Sequence, residues 1–132
     1  MIIKSISMSN FQCYYGPVSE NTISFKSGIN LITGDNGGGK SKLYDAFYWV
    51  LYDQVFNSDD REFRTTREYK ENLISDKAKR ECIEDSYVSA EVVLIVEDSR
   101  DVEYRITRIF RAKKISDREW QSDGSSKLLV DE

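Results

Sequence analysis

Eight consecutive residues carry the clearest chemistry in this sequence. Gly34-Asp35-Asn36-Gly37-Gly38-Gly39-Lys40-Ser41 meets every fixed position of the phosphate-loop pattern G-x-x-x-x-G-K-S/T. Glycines let backbone N–H groups turn inward and approach phosphate oxygens closely. A helix opening at Lys40 aims its positive dipole end at the same anion. Lys40 places a charge on the β- and γ-phosphates, and the Ser41 hydroxyl is a hard oxygen ligand for Mg²⁺. Residues 34–41 are therefore the expected nucleotide site.

The elements that must position this loop are legible on both sides of it. Ile29-Asn30-Leu31-Ile32-Thr33 reads as a short apolar strand ending in Gly34. From Lys40 to about Asp53 the period is helical, with Leu43, Ala46, Phe47, Val50 and Leu51 on one face. Strand, loop and helix in this order are the context the motif requires. Upstream, Ile2, Ile6 and Met8 alternate as an opening strand, and residues 22–26 form a second, with Ile23 and Phe25 on one face. Residues 54–87 are polar and sparsely apolar, which predicts an irregular excursion with one or two short helices. Val88, Ala90, Val92, Leu94 and Val96, then Val102, Tyr104, Ile106 and Phe110, show period 2 across a polar turn and predict a β-hairpin. Residues 127–130 read as a last strand.

Composition narrows the function classes. The chain has 132 residues, the size of one domain or one lobe of a larger one. Its 8 Tyr, 6 Phe and 2 Trp exclude a disordered acidic tail. It has no histidine, so histidine catalysis and histidine-ligated metals are excluded. Cys13 and Cys82 form no C-x-x-C pair and read as reduced thiols. With no apolar run near twenty residues and no leader-like N-terminus, the expectation is a cytoplasmic chain without a membrane span. The net charge of −4 is not that of a nucleic-acid coat protein, yet it leaves room for a local basic patch. Arg105, Arg108, Arg111, Lys113 and Lys114 form such a run and are the candidate DNA contacts, against the plainer reading of a charged hairpin edge. Arg108 falls on the strand face opposite Arg105 and Arg111. Glu97 and Asp98 end an apolar strand in the manner of a metal-binding acid pair, but their half-exposed alternation favours turn acids.

Taken together, Ser9-Asn10-Phe11, Ile29-Asn30-Leu31-Ile32, residues 34–41 and Asp45-Ala46 resemble the amino-terminal ATPase half of SMC-type proteins, the group that includes the repair ATPases and RecN and RecF. The resemblance covers about residues 1–115. The start Asn10-Phe11…Tyr14-Tyr15-Gly16 leans toward the DNA sulfur-modification branch, DndD. It implies an α/β fold, the amino-terminal lobe of a P-loop NTPase head of the ABC/SMC kind. The sheet would be mixed and largely antiparallel, with the P-loop helix packed on it. Residues 1–132 would be one lobe. The implied function is ATP binding, with hydrolysis in the full-length protein, in DNA repair, DNA modification or defence against foreign DNA. The implied cofactors are ATP and Mg²⁺. The backbone of residues 35–39 and Lys40 would hold phosphates, Ser41 the metal, and Asn36 would face the γ-phosphate at a two-head interface. The implied partners are a carboxy-terminal lobe, a second ATPase head and DNA.

Two departures from the family pattern stand out. Gln12 occupies a position that is commonly basic and assists nucleotide binding, and Lys42 one that is commonly a small hydroxyl residue. The Gln-loop, the LSGG-like signature, the Asp-Glu strand and the coiled coil are not found, so no catalytic residue is assigned within the chain. The alternative is a non-enzymatic nucleotide-binding or interaction module, complete as written. A small kinase or GTPase is disfavoured, since there is no Asn-Lys-x-Asp for guanine and no arginine-rich lid.

Overall fold

A computed structural model describes residues 1–26, 28, 40–57 and 61–132, and for Lys40 the backbone alone. In chain order the elements are β1 (Ile2–Ser9), β2 (Thr22–Ser24), α1 (Lys40–Tyr52), β3 (Gln54–Asn57), β4 (Glu62–Thr65), α2 (Thr66–Tyr69), α3 (Asp76–Glu81), β5 (Tyr87–Glu97), β6 (Glu103–Ser116), β7 (Glu119–Gln121) and β8 (Lys127–Asp131). Short 3-10 turns lie at Val18–Glu20 and Lys70–Leu73.

Alternating apolar residues build the sheet. β5 and β6 form the long antiparallel hairpin, in register from Tyr87↔Lys113 to Glu97↔Glu103. Its turn is fixed by Asp98, which accepts hydrogen bonds from the N–H of Arg100 (2.8 Å) and Val102 (3.1 Å). Glu97 pairs with Lys4 of β1 at 3.5 Å, so one acid holds the hairpin turn and the other ties β5 to the neighbouring strand. β1 adds to β5 with an irregularity between Ile3 and Ser5, and β2 adds to β1. The strand order is β2-β1-β5-β6-β7, all neighbours antiparallel. β8 also pairs with β6, along the stretch that β7 leaves free.

Helix α1 covers one face of this sheet. Leu43, Ala46, Trp49 and Val50 are buried against a core that includes Ile6, Met8, Val92, Leu94 and Phe110. Each large apolar side chain so buried contributes about 1.5–3 kcal/mol. The buried stripe is rotated from the one expected: Leu51 is 43% exposed, and Trp49 takes the place given to it. Trp49 wins because Phe11 stacks on its ring at 5.1 Å and its Nε1 donates to Thr66 Oγ1 at 2.9 Å, satisfying its one polar atom. Phe47 sits at the flank against Phe25 (6.1 Å).

The cover runs out toward β8. A row of cross-strand neighbours, Ile23, Ile6, Leu94, Ile106 and Val130, crosses the sheet on the core side. Ile6 and Leu94 are buried, but Val130 is 59% exposed. Tyr44, Tyr48 and Tyr52 of α1 and Phe56 and Phe63 of the β3–β4 hairpin are also exposed, with Tyr48 touching both Tyr52 and Phe63.

Residues 54–87 are more regular than the composition suggested. Besides the short helices they hold the β3–β4 hairpin, paired Gln54↔Thr65 to Asn57↔Glu62. Thr65 and Glu68 form a reciprocal cap that starts α2, and Ser75 caps α3. Leu73 and Ile74 enter the core, and their backbone is stitched to the first loop by Gln12 N–H to Leu73 O and Ser75 N–H to Asn10 O, both 2.8 Å. The strand expected at residues 29–33 lies outside the described residues. Among the described residues, no helix is long and apolar enough to cross a membrane.

Candidate nucleotide site

The candidate site lies at the amino-terminal end of α1. Of its expected residues, Gly34, Asp35, Asn36, Gly37, Gly38 and Gly39 lie outside the described residues. Lys40 is the first residue of the helix, as the motif requires, and Ser41 follows in the first turn with its side chain exposed. That turn holds Lys40 and Lys42 and no acid. An anion placed there meets a helix dipole and cationic residues of one sign.

The walls beside this turn come from the β1–β2 loop. Asn10 and Gln12 both have left-handed backbones, at φ 51° and 49°. Such conformations cost about 1–3 kcal/mol each and persist where surrounding contacts impose them. Here the imposing contacts are Gly16 N–H to Asn10 Oδ1 (2.9 Å) and Gln12 N–H to Leu73 O (2.8 Å). The result places the Gln12 side chain against Asp45, which accepts its hydrogen bond. That bond fixes the amide orientation, because the opposite one would set oxygen against carboxylate. Gln12 Oε1 is left buried without a hydrogen-bond partner among the described residues. An orphaned acceptor and a cationic, acid-free helix start together fit a polar ligand that carries both phosphates and hydrogen-bond donors, which a magnesium nucleotide does. Had Gln12 been basic, it would have paired with Asp45 or the phosphates; as glutamine it cannot supply charge.

Asp45 is buried in the second turn of α1, with Lys42 Nζ at 3.8 Å. Burial pushes its carboxyl above the ordinary 3.8, opposed by Lys42, the Gln12 amide and the Phe56 backbone N–H. The folded carboxyl therefore holds its proton more tightly than the unfolded one. That contribution to stability is present in full below the unfolded pKa and is lost as pH rises through the folded value. Comparing Asp45→Asn with the unsubstituted chain by urea unfolding from pH 3 to pH 7 is expected to show the variant gaining relative stability as pH rises. A difference flat with pH would remove Asp45 from the titrating groups.

Burial also raises the Cys13 thiol, and Tyr14 is pushed up to about 12 by the same cause. Both are protonated at neutral pH, in keeping with Cys13 as an unreactive thiol.

The basic run divides. Arg105 and Arg111 are exposed and share the outer face of β6 with Lys113, and Arg111 lies 4.2 Å over the Tyr87 ring. Arg108 and Lys114 are buried on the core side and are withdrawn as DNA contacts. Lys114 Nζ donates to Lys79 O and Cys82 O at 3.0 Å, neutralising the carbonyl end of α3. Arg108 does the same for α1 through Val50 O at 3.3 Å. Strand parity carried the signal: both residues alternate in step with Ile106, Phe110 and Ala112, on the core side. Among the described residues, no cluster of acids and cysteines suited to a metal ion is present.

With this geometry in place, comparison with known proteins is decisive. A family profile described as "AAA domain" matches residues 5–131. The chain belongs to this family. It is 37% identical over 128 residues to the DNA double-strand break repair Rad50 ATPase of Thermoplasma volcanium, covering 95% of this chain and 12% of that protein. It is 41% identical over 54 residues to the chromosome partition protein Smc of Halothermothrix orenii, covering 41% of this chain and 4% of that protein. The solved structure of the recombination mediator protein RecF with ATP superposes with a TM-score of 0.58 at 18% identity, covering 98% of this chain and 26% of that one. The fold is thus that of the amino-terminal lobe of SMC/RecN-type ATPase heads, a mixed α/β lobe with an antiparallel sheet. This AAA-family chain spans a small part of the length of the relatives it matches.

Proposed function

We propose that the chain is the ATP-binding part of an ATPase that acts on DNA. One observation carries this reading: the phosphate-loop motif runs directly into the first turn of a helix packed on this chain's antiparallel sheet. Lys40 would bind the β- and γ-phosphates, Ser41 the Mg²⁺, and the backbone of residues 35–39 the phosphate oxygens. When bound, Mg²⁺ would be held by Ser41 and would supply positive charge against that developing on the phosphates. The chain's own share is to bind and orient.

Hydrolysis also needs an acidic metal ligand and a group that orients the attacking water. Glu97 is paired with Lys4 of β1 and Asp98 holds the hairpin turn, and no other residue is assigned these roles. The expected result is that the isolated chain binds Mg-ATP but turns over at most a few molecules per hour, measured by phosphate release. Sustained turnover approaching the roughly 1–100 s⁻¹ typical of kinases would defeat the division of labour proposed.

The uncovered apolar surface supports a further lobe over a module complete by itself. Tyr48, Leu51 and Tyr52 of α1, Phe56 and Phe63 beside them, and Leu128 and Val130 of β8 are all exposed. Tyr48 touches Tyr52 and Phe63, and Phe56 touches Phe63, so the α1 and β3–β4 part is an exposed aromatic cluster of a kind uncommon on a protein that works alone. A carboxy-terminal lobe would cover it, and a second head would face residues 34–41 with Asn36 toward the γ-phosphate. Arg105, Arg111 and Lys113, which share the outer face of β6, would be the cations that meet DNA phosphates. The names of the relatives point to repair and chromosome maintenance; the Asn10-Phe11…Gly16 start keeps DNA modification within the reading. Calorimetric titration with Mg-ATP tests the core of it: absence of binding by the folded chain would reject the nucleotide site.

A further inference from the structure

Helix α1 has 13 residues and is about 20 Å long at 1.5 Å per residue. One end carries Lys40 and Ser41. The other end is held by a buried cation from the sheet. Arg108 Nε donates to Val50 O (3.3 Å), and its Nη1 donates to Ser126 Oγ (2.7 Å) and lies 3.7 Å from Asp53 Oδ1. Asp53 directly follows the helix, in the left-handed conformation at φ 60°, and its N–H closes the last turn onto Trp49 O at 2.9 Å. Its carboxylate also accepts from Ser126 Oγ (2.8 Å) and from Thr66 Oγ1, which in turn accepts from Trp49 Nε1 (2.9 Å). α1, β6, the start of α2 and the β7–β8 connection therefore meet at one guanidinium and one carboxylate.

Packing alone does not call for this arrangement. Burying a guanidinium carries a desolvation cost, and an apolar residue of similar volume is often as stable or more so. What the Arg108 fork provides is direction: three acceptors on two other elements fix where the end of α1 sits. We propose that Arg108 is a positioning residue for nucleotide binding, holding the axis of α1 so that Lys40 and Ser41 meet the phosphates. This rests on the nucleotide reading above. Leverage makes the effect large. A tilt of about 3° at the Arg108 end displaces the far end of a 20 Å rod by about 1 Å, a misplacement that in reacting groups costs on the order of 100-fold.

The test compares Mg-ATP affinity and urea midpoint for the 132-residue chain and two variants. Arg108→Lys keeps the charge but loses the planar fork that reaches Val50 O through Nε and Ser126 Oγ through Nη1. Lys114→Met removes the equivalent buried cation from α3, on the same strand, without touching α1. The expected result is Mg-ATP binding at least fivefold weaker in Arg108→Lys, at a temperature where it is fully folded, and within twofold of the unsubstituted chain in Lys114→Met despite its lowered midpoint. Equal affinity in Arg108→Lys, or equal weakening in Lys114→Met, would overturn the proposal and leave Arg108 a purely structural role. Should Arg108→Lys fail to fold, Ser126→Ala replaces it, with two- to fivefold weaker binding expected and unchanged affinity overturning the idea. Absence of binding by the unsubstituted chain would reject the nucleotide reading and this one together, whereas binding shared equally by the chain and its Arg108 variant rejects this one alone.

Discussion

Lys40→Ala is expected to weaken Mg-ATP binding roughly 10- to 100-fold while leaving the free energy of urea unfolding within about 0.5 kcal/mol of the unsubstituted chain. Hydrogen bonds to charged groups are worth about 1.5–3 kcal/mol, and at a phosphate the lysine supplies a full counter-charge. The stability side follows from place: the first residue of a helix contributes little to the core, and alanine is the best helix former. Calorimetry and urea unfolding on the same preparation separate the two. Unchanged affinity would mean that residues 34–41 do not bind the phosphates. A large loss of stability would mean that Lys40 has a structural role instead.

The largest effect on stability is expected at Trp49. Its side chain is fully buried and stacked on Phe11, and its Nε1 donates to Thr66. Trp49→Ala would leave a cavity beneath the sheet and cost about 3–5 kcal/mol. It would also strip Thr66 of its indole donor while Asp53 still accepts from Thr66. Since a domain of this size has about 5–15 kcal/mol in total, the variant is expected to be at or near the edge of folding at 37 °C. Trp49→Phe keeps most of the volume and loses the hydrogen bond, so a smaller loss of about 1–2 kcal/mol is expected. Urea unfolding followed by circular dichroism measures both. A loss below 1 kcal/mol for the alanine variant would contradict the burial of α1 on this side.

These two residues illustrate what the sequence discloses and what it does not. Lys40 is singled out by spacing alone, because the phosphate-loop pattern demands particular residue types in a fixed order. Trp49 is found only through tertiary contact. Counting from Leu43 at three- and four-residue steps reaches both Trp49 and Leu51, and nothing local says which turns inward. Phe11, 38 positions away in the chain and delivered by the left-handed turn at Asn10 and Gln12, makes the choice. The β5–β6 hairpin was readable because its strands are long and alternate cleanly on either side of the Asp98 turn. The β3–β4 hairpin was not, because Val55, Phe56 and Phe63 are too few to set a period, and two of them remain exposed. The cap at Thr65 and Glu68 was present in the sequence as a Thr-x-x-Glu signal for the start of α2. Arg108 and Lys114 show the limit of reading charge as exposure: their alternation with Phe110 and Ala112 placed them inside, and the carbonyl ends of α1 and α3 are why a cation is tolerated there.

The site itself divides the same way. Residues 34–41 announce themselves, whereas the Gln12–Asp45 contact depends on β1–β2 loop geometry that no spacing rule gives. Asp45 sets the orientation of the Gln12 amide.

The most direct test of the account is a calorimetric titration of the folded 132-residue chain with ATP, run with and without Mg²⁺. The account predicts saturable binding at one site per chain, strengthened by Mg²⁺ because Ser41 and the phosphates share the ion. No saturable binding, or binding indifferent to Mg²⁺, would contradict it.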